Sequence, residues 1–119
     1  MKKLDGNNFF MAFRNGAKLV SNKKHHLNEI NLFPVPDSDT GNNMSFTLKN
    51  IVYKVEPDNS IIYTLKAIAD NALESARGNS GLILAQFFSG LHSKAKKIRE
   101  GRNTLNTKDF TKIVKETIP

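Results

Sequence analysis

The chain of 119 residues is long enough for one small domain with a modest core, because 39% of its residues are apolar and 24% are charged. This balance excludes disorder of the whole chain. The absence of cysteine excludes disulfide bonds and zinc sites built on thiolates.

Most of the net charge of +7 comes from residues 93–119. We interpret this basic segment as a solvated face or a linker. The alternatives are a docking surface for an acidic partner, a membrane surface or nucleic acid, although no nucleic-acid motif accompanies it. The start of the chain has no apolar run after its lysines, and no segment approaches the roughly 18 apolar residues of a membrane-spanning helix. We therefore expect a soluble, cytoplasmic protein without specific nucleic-acid binding.

The first half of the chain predicts helices interrupted by a proline-rich break. Asn7 or Asn8 is expected to cap the first helix, and Pro34 and Pro36 force an extended segment between helices. The apolar stripes at helical spacing are Phe9, Phe13, Ala17 and Val20, then Leu27 and Ile30 for one further turn, then Met44, Leu48, Ile51, Val52 and Val55.

The second half of the chain predicts two long helices and a shorter one. Ser60 is expected to cap the first, Gly78 to stop it, Ser80 to lie near the start of the next, and Thr107 to cap the last. The expected buried positions are Ile61, Leu65, Ile68, Ala69, Ala72, Leu73 and Ala76, then Leu82, Ile83, Leu84, Phe87, Phe88, Leu91 and Ala95, then Phe110, Ile113 and Val114. No segment predicts a strand, so the fold class is all-α.

The segment 34–44 carries two carboxylates, Asp37 and Asp39, in a proline-stiffened loop that leads into a helix. Two neighbouring carboxylates repel each other unless a cation lies between them. Magnesium is typically held by one or two carboxylates together with waters and substrate phosphates, so the pair is typical of a metal–nucleotide site. The alternative is that Asp39 or Thr40 only caps the following helix.

A second segment, Ala76-Arg77-Gly78-Asn79-Ser80-Gly81, forms a glycine-flanked turn between two predicted helices. Backbone N–H groups of such a turn and of the helix after it are suited to bind phosphate oxygens. The alternative is a plain helix corner, with Gly78 ending one helix and Ser80 capping the next.

Together with Leu4-Asp5-Gly6, the segments 31–44 and 76–84 resemble the nucleotide-binding domain of bacterial fatty acid kinase, which is related to the L subunit of dihydroxyacetone kinase. The resemblance extends over nearly the whole chain. It implies an antiparallel helical barrel with ATP and paired magnesium ions at one end. It also implies a separate fatty-acid-binding partner protein, which presents the acyl carboxylate for conversion to an acyl phosphate.

The resemblance also implies roles for individual residues. Asp37 and Asp39 match metal ligands, and Asn31 matches the position of a third ligand that is a carboxylate in the dihydroxyacetone kinase branch. The remaining matches are Thr40, Asn43 and Met44 around the nucleotide, and Asn79, Ser80 and Gly81 in the turn that contacts phosphate.

The family domain continues beyond the part that this chain matches, so residues 1–119 are interpreted as the N-terminal part of a kinase domain whose further helices are missing. Two alternatives stay open, a kinase of dihydroxyacetone type and a non-catalytic remnant or regulatory module. The predicted helix that starts near Ser80 is apolar nearly all round in its first turns. We therefore expect the chain by itself to self-associate and not to be a competent kinase.

Overall fold

A computed structural model describes residues 3–29, 40–98 and 103–118. Within these residues the chain is almost entirely helical, as the all-α prediction requires. The elements are β1 (Lys3–Leu4), α1 (Gly6–Asn22), α2 (Lys24–Glu29), α3 (Thr40–Lys54), α4 (Ile61–Ser75), α5 (Gly78–Ile98), β2 (Leu105–Asn106) and α6 (Thr107–Thr117). None of the described helices is long and apolar enough to cross a membrane.

The core lies between α1, α3, α4, α5 and α6. Helix α4 is the most apolar contributor, because Ile61, Leu65 and Ile68 are fully buried. Phenylalanine rings connect α1 to the later helices: Phe13 meets Phe88 of α5 edge to face, with ring centroids 5.4 Å apart. The buried apolar residues are Phe9, Phe10, Ala17, Leu48, Ile51, Val55, Ile61, Leu65, Ile68, Ala69, Ala72, Ala85, Phe88, Leu91, Ala95, Leu105 and Ile113.

Two short strands correct the prediction that the chain has none. Strand β1 pairs with β2 in antiparallel register, with Leu4 opposite Leu105. Two residues are too few to show an alternating pattern, so sequence spacing did not reveal them. The pairing ties the segment before α1 to the segment before α6.

Several helix ends also differ from the prediction. The side chain of Asp5, not of Asn7 or Asn8, caps α1 by accepting from the Asn8 backbone N–H at 2.8 Å. The Asn8 side chain accepts from the Asp5 N–H in return, at 2.9 Å, so the two form a reciprocal capping box. Helix α6 is capped by Asn106, not Thr107, through the Asp109 N–H. The Ser60 cap of α4 is confirmed by its bond from the Tyr63 N–H.

Helices α4 and α5 meet at a shorter turn than predicted. Helix α4 ends at Ser75 and α5 begins at Gly78, two residues before Ser80. Gly78 therefore begins α5 rather than ending α4. Leu73, predicted to be buried, is 63% exposed, and Leu82 and Ile83 are 44% and 51% exposed. The apolar first turns of α5 are thus only partly covered by the described residues.

Candidate functional site

Helices α3 and α5 begin side by side and run in the same direction. A Cβ atom built on Gly78 would lie 2.2 Å from Asn43 Nδ2, and one built on Gly81 would lie 2.6 Å from Thr47 Oγ1. The later residue of α3, Thr47, lies beside the later residue of α5, Gly81. The two helices therefore run parallel. The start of α3, which follows the aspartate segment, and the turn that begins α5 therefore adjoin, as the interpretation of a shared site requires.

Glycine at position 78 is required for both conformation and space. Its φ of +67° lies in the left-handed region, which residues with a Cβ rarely adopt. The side chain of Asn43, which is 7% exposed, occupies the space that a Cβ would need. The glycine thus lets the turn approach α3 closely.

Thr47 connects the same two segments by hydrogen bonds. Its hydroxyl, fully buried, donates to the Asn43 carbonyl at 2.9 Å and accepts from the Arg77 backbone N–H at 3.3 Å. Thr47 is not among the residues predicted from the sequence. The sequence does contain a pattern that points to Thr47. It lies four positions after Asn43, the spacing of neighbours on one helix face, and both are polar residues beside the apolar stripe of α3.

The adjoining helix starts make this end of the molecule suited to anions. The first backbone N–H groups of a helix have no partner within it, and the aligned peptide dipoles place positive potential there. Two such starts lie next to each other here, at Thr40 and at Gly78. Phosphate groups are typical ligands of such positions.

The hydroxyl group of Thr40 stands out at the start of α3. Its Oγ1 is buried and has no hydrogen-bond partner among the residues that the structure describes. Buried hydroxyl groups are almost always paired. A bound ligand atom or a water at the start of α3 would satisfy this hydroxyl, and the chemistry of Asp39 just before it suits magnesium. The residues therefore fit a metal–nucleotide site.

The three predicted metal ligands, Asn31, Asp37 and Asp39, lie outside the described residues, as does Ser38 between the aspartates. Within residues 3–29, 40–98 and 103–118, no group of three or more His, Cys, Asp or Glu side chains is arranged to hold a metal ion. The metal assignment therefore remains a prediction from the sequence.

The predicted nucleotide residues occupy the adjoining helix starts with different exposure. Asn43 and Gly81 are buried, Thr40, Met44 and Ser80 are half-buried, and Asn79 is exposed. Asn43 and Gly81 thus form the packed base of the site. Ser80 and Asn79 are the members of the turn that a ligand in solution reaches.

The side chain of Arg77 points to another surface. Its guanidinium lies over the ring of Phe46, 4.8 Å from the ring centroid, a distance typical of a cation–π contact. The backbone of Arg77 therefore belongs to the turn, whereas its charge lies on the outer side of α3.

Comparison with known proteins identifies relatives over almost the whole chain. The DAK2 domain matches residues 34–118. An uncharacterised protein of Staphylococcus saprophyticus is 37% identical over 117 residues, which cover 97% of this chain and 20% of that protein. An uncharacterised protein of Mycoplasma pneumoniae is 35% identical over 115 residues, covering 92% of this chain and 21% of that protein. Protein YloV of Bacillus subtilis is 34% identical over 112 residues, which cover 92% of this chain and 20% of that protein. The chain thus spans about one fifth of the length of these relatives.

Proposed function

The chain belongs to the DAK2 domain family, a kinase-related family, and from this premise we propose that it carries the nucleotide site of an ATP- and magnesium-dependent phosphotransferase. The observation that carries the proposal is the contact of Asn43 with Gly78, which joins the start of α3 to the start of α5. This contact brings the first turn of α3, which begins at Thr40, next to the start of α5 and its Asn79–Gly81 turn.

In this proposal, Asp37 and Asp39 hold magnesium, with Asn31 as a weaker third ligand. The metal supplies neutralisation of the phosphate charge. Backbone N–H groups at the start of α5, and those of Thr40 and Gly41 at the start of α3, bind phosphate oxygens, whereas the Asn42 N–H is already bonded to Asn28. The side chains of Ser80 and Asn79 orient the phosphate. Asn43 and Thr47 keep the two helix starts at the spacing that this binding requires.

We further propose that the phosphate acceptor is a fatty acid presented by a separate fatty-acid-binding protein, and that the product is an acyl phosphate. A carboxylate is already ionised at pH 7, so the reaction needs no general base. Transfer to a hydroxyl acceptor such as dihydroxyacetone would gain from such a base.

Calorimetric titration with ATP, with and without magnesium, tests the nucleotide site. We expect magnesium-dependent binding that is lost in Asp39→Asn. The matched control is Asp70→Asn, because Asp70 is an exposed residue of α4 whose ion pair with Lys66 contributes little stability. Asp70→Asn is expected to bind as the parent does. Binding that is independent of magnesium, or equal in Asp39→Asn and the parent, would contradict the proposal.

A second variant separates phosphate binding from the plain helix corner. Asn79 is exposed, so Asn79→Ala leaves the packing of α3 against α5 intact. We expect this variant to bind Mg-ATP more weakly while its unfolding temperature stays at that of the parent. Unchanged affinity would favour the helix corner, in which this side chain has no ligand.

A further inference from the structure

We propose that the outer side of α3 carries a second anion site, separate from the nucleotide turn, which binds a phosphate or phosphomonoester dianion. The site is a surface pocket of about 340 Å³ lined by Lys24, Asn42, Ser45, Phe46, Lys49 and Arg77. Its volume falls at the lower end of the range for small-molecule sites. We call it the α3 basic pocket.

The α3 basic pocket collects positive charge without counter-charge. Lys24, Lys49 and Arg77 contribute three cations to its wall, and no acidic residue among those that the structure describes lines it. Within the part of the chain that the structure describes, Lys66 and Asp70 of α4 form an ion pair. None of the three pocket cations has an acidic partner among the described residues. A concave surface with one sign of charge concentrates anions of the opposite sign.

Arg77 is held in a position that leaves its donors available. Its guanidinium carbon lies over the Phe46 ring, 4.8 Å from the ring centroid. A cation over an aromatic ring is attracted by the ring quadrupole, and a guanidinium carries five N–H donors in one plane. The hydrogen bonds of Arg77 within the described residues involve its backbone, whose N–H donates to Thr47 Oγ1 and whose carbonyl accepts from the Gly81 N–H. The side chain is therefore oriented and has unused donors, which suits bidentate binding of phosphate.

The opposite wall of the α3 basic pocket is fixed by close packing between α2 and α3. The carbonyl of Lys24 lies where a Cβ of Gly41 would be, at 1.9 Å from that position. The Asn42 backbone N–H donates to Asn28 Oδ1 at 3.1 Å, and Asn28 Nδ2 donates to Asn42 Oδ1 at 3.2 Å. These contacts set the position of the Lys24 backbone beside α3.

The α3 basic pocket and the nucleotide turn lie on different faces of α3. Asn42, Phe46 and Lys49 follow one another at the spacing of a single helix face, whereas Asn43 and Thr47 form the face that contacts α5. Arg77 joins the two, because its backbone N–H bonds to Thr47 and its side chain lies over Phe46. An anion held by Arg77 is thus adjacent to the turn without occupying it.

The test is calorimetric titration of the purified chain with inorganic phosphate and with glycerol 3-phosphate, at constant ionic strength and with EDTA present. We expect binding of at least one of them. The parent and Asp39→Asn should bind alike, because the α3 basic pocket needs no metal. Because anion binding in the α3 basic pocket needs no metal, whereas the proposed function requires magnesium, the two proposals can fail independently of each other. Equal affinities for the two anions would show that the phosphate group alone is recognised. Tighter binding of glycerol 3-phosphate would show that the pocket prefers a phosphomonoester.

The variants are chosen to keep the fold unchanged. Lys49→Gln should weaken binding about tenfold, the loss expected for one charge-assisted bond. Lys54→Gln is the matched control, because Lys54 is an exposed lysine of the same helix that does not line the pocket. Arg77→Gln should weaken binding at least as much as Lys49→Gln. The proposal is overturned if the parent binds neither anion, if Lys49→Gln and Lys54→Gln lose affinity equally, or if binding requires magnesium.

Discussion

Asn43 lies so close to Gly78 that any Cβ at position 78 would come within 2.2 Å of the Asn43 side-chain nitrogen. This contact connects the first turn of α3, directly after Asp39, with the first residue of α5. The two segments are more than thirty positions apart in the chain, and the contact makes them neighbours. Four predictions follow from the packing around it and from other features of the described residues.

Replacing Gly78 with alanine should destabilise the fold. The left-handed φ of +67° costs a residue with a Cβ about 1–2 kcal/mol, and the collision with Asn43 adds to this. Gly16→Ala is the matched control, because Gly16 lies inside α1 with nothing within 4 Å of its Cβ position. Alanine there should stabilise the helix by about 0.5–1 kcal/mol. Urea unfolding of the two variants measures both, and shifts in the same direction would be inconsistent with the described turn.

Gly81→Ala should also destabilise, because its Cβ would lie 2.6 Å from Thr47 Oγ1. Overpacking of this kind costs about 1–3 kcal/mol. Thr47→Ala loses two hydrogen bonds but removes the colliding atom. The double variant should therefore be more stable than the sum of the single losses, by at least about 0.5 kcal/mol. Strict additivity in a double-mutant cycle would show that the two residues do not touch.

Stability should fall as the pH decreases below neutrality, in part because of His92. Burial lowers the pKa of His92 from its usual value of 6.5, and the nearby charges of Lys66 and Lys96 lower it further, whereas Asp70 opposes them. The unfolded chain therefore binds a proton at higher pH than the folded protein does. The free energy of unfolding falls as the pH decreases through about 6.5.

His92→Gln should make the decrease in unfolding free energy between pH 7 and pH 5 shallower. His25→Gln, which removes an exposed imidazole from α2, controls for the loss of a histidine. Chemical denaturation at a series of pH values gives the comparison. A decrease in His92→Gln as steep as in the parent would assign the pH dependence to other groups.

The chain by itself should associate through the exposed first turns of α5. Leu82 and Ile83 are 44% and 51% exposed, and adjacent exposed apolar side chains favour association. Ile83→Lys should reduce self-association in sedimentation velocity experiments. Leu19→Lys is the control, because Leu19 is a 63% exposed apolar residue on a different helix, α1. A parent chain that remains monomeric at every concentration would contradict the prediction.

The sequence alone determined the helical class and the approximate helix positions, because apolar spacing and local caps such as Ser60 act within a few residues. It also singled out residues 34–44 and 76–81 by their composition. Local signals failed where several residues compete for one role. Asp5 caps α1 instead of Asn7 or Asn8, and Asn106 caps α6 instead of Thr107. The path of the preceding strand decides which side chain reaches the first free N–H groups of the helix.

Tertiary structure alone decided what the two segments do to each other. The contacts of Asn43 with Gly78 and of Thr47 with Gly81 depend on how α3 packs against α5, and spacing within one helix carries no information about its neighbour. The same is true of the α3 basic pocket, whose Lys24, Lys49 and Arg77 come from three separate segments. Helix formation is a local process governed by neighbours three or four residues apart, whereas a pocket requires the simultaneous placement of distant segments, which only the packed core provides.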